Sequence, residues 1–156
     1  MPANKRPRKP YRPRQRGHVL TPGQVQELVM PIHMSLQLLP LGLFTEQHGH
    51  DLAAFTNVAQ FAADEAGRDD IHQHAHDAAE ILLAMRHRVT AGKSWNVTTT
   101  ERDALMRHVL VIDRWMRGVS SARWKRALLK VAAICDRLMA DGKEEMDMID
   151  IDRRAA

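Results

Sequence analysis

The sequence is poor in cysteine and aromatic residues, and it has no long apolar run. Its single cysteine, Cys135, excludes an intramolecular disulfide and leads us to expect a reducing, cytoplasmic setting. No apolar stretch approaches the roughly 18 residues that a membrane-spanning helix needs, so no membrane partner is expected. The basic opening passes into Gly17-His18-Val19-Leu20-Thr21-Pro22-Gly23, not into the apolar core of a signal peptide, so no secretion signal is read. The two-residue alternation of strands is also missing, as is any internal repeat. Gly92-Lys93-Ser94 resembles the end of a phosphate-binding loop, but the first glycine of that motif would fall on His87. No cofactor and no catalytic residue is expected.

Charge is present but unevenly distributed. Lys5, Arg6, Arg8, Lys9, Arg12, Arg14 and Arg16 place seven cations and no acid in the first 16 residues of a chain whose net charge is only +4. The high pI therefore belongs to this arm, and electrostatic arguments must be made locally. Pro2, Pro7, Pro10 and Pro13 interrupt the arm, and Tyr11 is its only aromatic residue. Such a segment buries nothing and repels itself, so residues 1–16 are expected to be disordered and extended. At the other end, Asp141, Glu144, Glu145, Asp147, Asp150 and Asp152 outweigh Lys143, Arg153 and Arg154, so residues 143–156 read as an acidic, partly disordered tail.

Between them, residues 17–142 read as one all-α domain, a compact bundle of about five helices. Thr21-Pro22 starts the first, with Thr as cap and Pro in the first turn. Its stripe is Val25, Leu28, Val29, Ile32, Leu36 and Leu39; Pro31 is expected to kink it. The second runs from Thr45 to about Ala66, with Leu52, Phe55, Val58 or Ala59, and Ala62 inward and Gly49 weakening its first turn. The third carries Ile71, Ala75, Ala78, Leu82, Met85 and Val89 in steps of three and four. Thr98 and Glu101 form a capping box for the fourth, which holds Leu105, Val109, Ile112, Met116 and Val119. Met106, Leu110 and Val111 make the fourth helix apolar on further sides, so it is expected to be central. Ser121 caps the fifth, with Trp124, Leu128, Val131, Cys135 and Leu138 inward.

Two clusters invite chemistry. The first is histidine: there are nine, and His72, His76, Glu80 and His87 share one stripe of the third helix. His72 and His76 at i and i+4 have the spacing of a metal pair, with Glu80, His48, His50 or Asp51 as candidates to complete the shell. A polar helix face explains them more simply, and no metal is expected. The second is basic: Arg114, Arg117, Arg123, Lys125, Arg126 and Lys130 surround the turn between the fourth and fifth helices. Cations beside free helix N–H groups make an anion site. A helix-turn-helix is a poor reading of this turn, because Arg114 stands where a small residue must pack. Trp95, in the loop before the fourth helix, is the candidate for an exposed aromatic of the body, although closing the core over the loop is the more common role of such a residue.

The opening Lys9-Pro10-Tyr11-Arg12-Pro13-Arg14 and the segment Thr99-Thr100-Glu101-Arg102-Asp103-Ala104-Leu105 resemble a group of short proteins from phages, prophages and plasmids of proteobacteria. The resemblance implies a mobile-element accessory protein, not a metabolic enzyme, and assigns no functional residue. The expected function is non-enzymatic binding of nucleic acid or a nucleoprotein complex. Its contacts would be Lys5, Arg6, Arg8, Lys9, Tyr11, Arg12, Arg14 and Arg16 in the arm, with Arg123, Lys125 and Arg126 in the body. The alternatives are an adaptor or inhibitor that docks on an acidic protein surface or a host protein, as a monomer or oligomer, and a histidine–carboxylate metal-binding bundle.

Overall fold

The computed structural model describes residues 19–141. The basic arm and the acidic tail lie outside these residues. The described part is all-helical: α1 (Pro22–Leu38), a single 3-10 turn (Leu39–Leu41), α2 (Glu46–Ala66), α3 (Asp69–Thr90), α4 (Thr99–Met116) and α5 (Ser121–Ala140). No helix among the described residues is long and apolar enough to cross a membrane.

Local chemistry sets the helix ends. Thr21 Oγ1 accepts from the Gln24 N–H at 3.3 Å, and the Gln24 side chain accepts from the Thr21 N–H at 3.0 Å. Thr98 and Glu101 make the expected reciprocal pair, at 3.1 and 2.9 Å. At α2 the third helical residue is histidine, and His48 Nδ1 takes the Thr45 N–H at 2.9 Å. Gly67, at φ 63°, closes α2 in the left-handed conformation that a side chain disfavours. The cap of α5 is Ser120, one residue earlier than expected; its hydroxyl accepts from the Arg123 N–H at 3.3 Å.

The central helix is α2, not α4. It packs against α1, α3 and α5, and 12 of its 21 residues are buried, against five of 18 in α4. Alanines and Gly49 let neighbours approach α2 from several sides, whereas apolar Leu110 of α4 remains 49% exposed. Large apolar side chains had suggested centrality, but small ones permit it. The expected stripes of α3 and α4 are buried, apart from half-buried Val89. Helix α1 runs through Pro31 as one element, with Leu28 left 37% exposed.

Helix α5 corrects the reading further. Its buried side chains are Trp124, Ala127, Val131 and Leu138, with Ile134 and Cys135 packed partly against the core. Leu128 is 49% exposed. Helix α5 rests mainly on α2, so only a narrow stripe faces inward, and Leu128 falls off its edge.

Candidate nucleic-acid interface

The turn between α4 and α5 anchors the start of the described chain. Val19 pairs with Ser120 in an isolated antiparallel bridge, and the Leu20 N–H donates to the Val119 carbonyl at 3.3 Å. Leu20 and Val119 are both buried. The root of the basic arm is thus held beside the cap of α5.

The cations of this region are unequally committed. Arg126 Nε donates to Glu65 Oε1 at 3.0 Å, tying α5 to the C-terminal turn of α2. The hydrogen bond from Arg126 holds the Glu65 carboxyl below its ordinary 4.5, against the opposing effect of burial. Lys130 Nζ sits 4.0 Å from the centroid of the Phe61 ring, a cation–π contact. Arg117 donates to both oxygens of Asp113, at 3.1 and 3.2 Å. Arg123 is half-buried, and its Nε is enclosed without a hydrogen-bond partner among the described residues. Lys125 and Arg114 are exposed.

Among the three expected body contacts, then, Lys125 projects outward, Arg126 is shared with Glu65, and Arg123 is partly enclosed. An exposed ion pair such as Arg126–Glu65 contributes little, so a phosphate can compete with the carboxylate for the guanidinium. The arm cations Lys5, Arg6, Arg8, Lys9, Arg12, Arg14 and Arg16, with Tyr11, lie outside the described residues. A helix-turn-helix does not form here: α4 packs on α3 and α1, while α5 packs on α2, so the two helices do not brace each other as that motif requires.

The histidines are distributed between helix contacts. His72 Nε2 lies 2.9 Å from Gln60 Nε2, and its Nδ1 lies 2.6 Å from Asp64 Oδ1. His72 therefore contacts α2, and it also lines a shallow surface hollow together with Asp69, Gln73 and His76. Among the described residues no three His, Cys, Asp or Glu side chains converge on a point that could hold a metal ion. His74 meets His108 instead, Nδ1 to Nδ1 at 2.9 Å, between α3 and α4. Asp113, 8% exposed, takes His33 as a second partner at 3.4 Å. Of the two readings of Trp95 the structure takes the second: it is half-buried and closes the loop over the core, its ring packed on Phe44, with centroids 5.6 Å apart, and on Gly49.

Sequence reasoning missed Glu65, Phe61 and the Val19–Ser120 bridge. Glu65 and Arg126 are 61 positions apart, and nothing in local spacing pairs them. The only trace in the sequence was an excess of cations at the wrong end of a helix dipole, which called for a compensating acid. No family model, no curated protein and no solved structure matches the chain.

Proposed function

We propose that this protein is a non-enzymatic nucleic-acid-binding accessory protein of a mobile element, acting through its basic arm. One observation carries the reading: the arm is rooted at Val19 against Ser120, beside the helix that bears Arg123, Lys125 and Arg126. Arg16, the last of the seven arm cations, is three residues before Val19 in the sequence, so the arm is tethered close to the helix that bears exposed Lys125. The dipole of α5 adds positive potential at its N-terminal end, beside that root. A phosphate backbone is the polymer that suits a run of seven cations with no acid, because it is neutralised without regard to sequence.

The test is a titration of the full chain with unrelated duplex and single-stranded sequences at several salt concentrations. Counterion release predicts a log-linear fall in affinity with salt. Replacing Arg12, Arg14 and Arg16 by Ala should lower the slope by about one unit per lost phosphate contact, equally on every sequence. Absence of binding at low salt, or a strong preference for one sequence, would contradict the reading.

A further inference from the structure

A groove of about 300 Å³ opens where α1, α2 and α5 meet. Buried Ile32, Phe55 and Trp124 form its floor, and exposed Leu28 and Leu128 form its lips. The charged side chains lining it are two carboxylates, Glu27 and Asp51. Pro31 lines it as well, and it has no N–H to give the Glu27 carbonyl one turn before it, so that carbonyl loses its helical partner. An apolar trough with acids and no cation rejects phosphates and acidic ligands. It suits an extended, cationic, apolar-edged peptide.

We propose that this groove is the docking site of the chain's own N-terminal segment, residues 7–13. Three features of that segment match it. Pro7, Pro10 and Pro13 recur every third residue, so in a polyproline helix with three residues per turn they share one edge. Prolines on one edge dock into aromatic-lined grooves at low entropic cost. Lys9 and Arg12 share a second edge and supply the cations that Glu27 and Asp51 lack. The third feature is reach. Pro13 lies six residues before Val19, a span of up to about 20 Å when extended. Leu128 lies eight residues beyond Ser120, about 12 Å along a helix. The fixed root thus leaves enough chain for the prolines to lie over Trp124 and Leu128. This contact does not rest on the nucleic-acid reading, and a chain that bound no nucleic acid would still make it.

The test uses the full chain with Cys135→Ser and a nitroxide attached at Asn4→Cys, observed by methyl NMR without nucleic acid. The Leu28 and Leu128 methyl signals should be lost while the label is oxidised and return on its reduction, whereas Leu110 on α4 keeps its signal. Combining Glu27→Lys with Asp51→Lys should restore the two leucine signals; both carboxylates lie at the groove's edge, so the bundle should remain folded, which Leu110 also reports. Unchanged leucine signals, or a loss indifferent to the charge reversal, overturn the proposal. A loss of equal size in isotope-labelled chain without nitroxide, mixed with nitroxide-bearing chain, also overturns it and assigns the groove to the arm of a second copy.

Discussion

The Nδ1 atoms of His74 and His108 stand 2.9 Å apart across the contact between α3 and α4. A hydrogen bond between two such atoms requires one to carry the proton and the other to be bare. Burial lowers the His108 pKa from the ordinary 6.5; Asp77 opposes that shift, and His74 and Arg107 reinforce it. The folded chain therefore declines a proton that the unfolded chain accepts. Stability should be highest where His108 is neutral in both states, and should fall as pH drops through about 6.5 toward the lower folded value. Thermal melts from about pH 8 to about pH 5 check this. The His108→Gln variant should show a shallower fall than the parent, because the proton that the folded chain declines at His108 is no longer there to take up. An identical pH profile would show that the pair is not a source of the dependence.

The carboxyl of Glu101 joins two helices. It accepts from Thr98 N–H at the start of α4, and from both Arg88 amino groups near the end of α3, at 2.8 and 3.1 Å. Burial pushes this carboxyl up, but the Thr98 N–H and Arg88 together outweigh burial and hold it below its ordinary 4.5. A depressed carboxyl contributes stability above the unfolded value and loses it as pH falls through the folded one. Glu101→Ala removes cap and ion pair together and should cost about 1–2 kcal/mol at neutral pH. Glu101→Gln keeps an acceptor for the Thr98 N–H and should cost less. Denaturant melts of both variants at neutral and acidic pH should show the difference from the parent shrinking in acid.

How much of this was legible in the sequence depended on distance along the chain. Caps are encoded within three residues, so Thr21, Thr45 and Thr98 could be placed directly. Stripes are encoded within one helix, so the cores of α3 and α4 could be read. What a helix packs against is not encoded locally, and the centrality of α2 and the outward turn of Leu128 were lost for that reason. The candidate interface divides the same way. Its cations are plain in the sequence, but the partners that restrain them, Glu65 for Arg126 and Asp113 for Arg117, were not read. Asp113 is only four residues from Arg117, yet its role depends on burial against α1, which that spacing does not reveal.

Gly49 is a further case. In the first turn of a helix, glycine reads as a weakness of roughly 0.5–1 kcal/mol relative to alanine. In the fold it is the surface on which Trp95 lies: a Cβ there would meet the indole at 3.0 and 3.3 Å. Gly49→Ala alone should therefore gain less than the helix propensity promises, because the ring must move. In a Trp95→Ala background the same substitution should stabilise by about 0.5–1 kcal/mol, since only the backbone effect remains. A double-mutant cycle measured by denaturant unfolding gives the coupling. A coupling near zero would mean that the indole yields freely.

Leu128 and Leu82 separate the two meanings of an apolar residue in this bundle. Spacing alone puts Leu128 on the inward stripe of α5, where truncation to alanine would cost about 2–5 kcal/mol. The fold leaves it 49% exposed at the lip of a groove, while Leu82 on α3 is fully buried. Leu128→Ala removes side-chain surface that water already reaches in part and leaves no enclosed cavity. Its cost should stay below about 1 kcal/mol, whereas Leu82→Ala should cost about 2–5 kcal/mol, because the surrounding core cannot fully collapse into the space. Equilibrium unfolding of the two variants, with equal m-values, checks the ordering. If Leu128→Ala proved as damaging as Leu82→Ala, α5 would have to be rotated so that the groove closes. If it proves mild, loss of the arm contact in the nitroxide experiment on that variant would assign the Leu128 side chain to the groove rather than to the core.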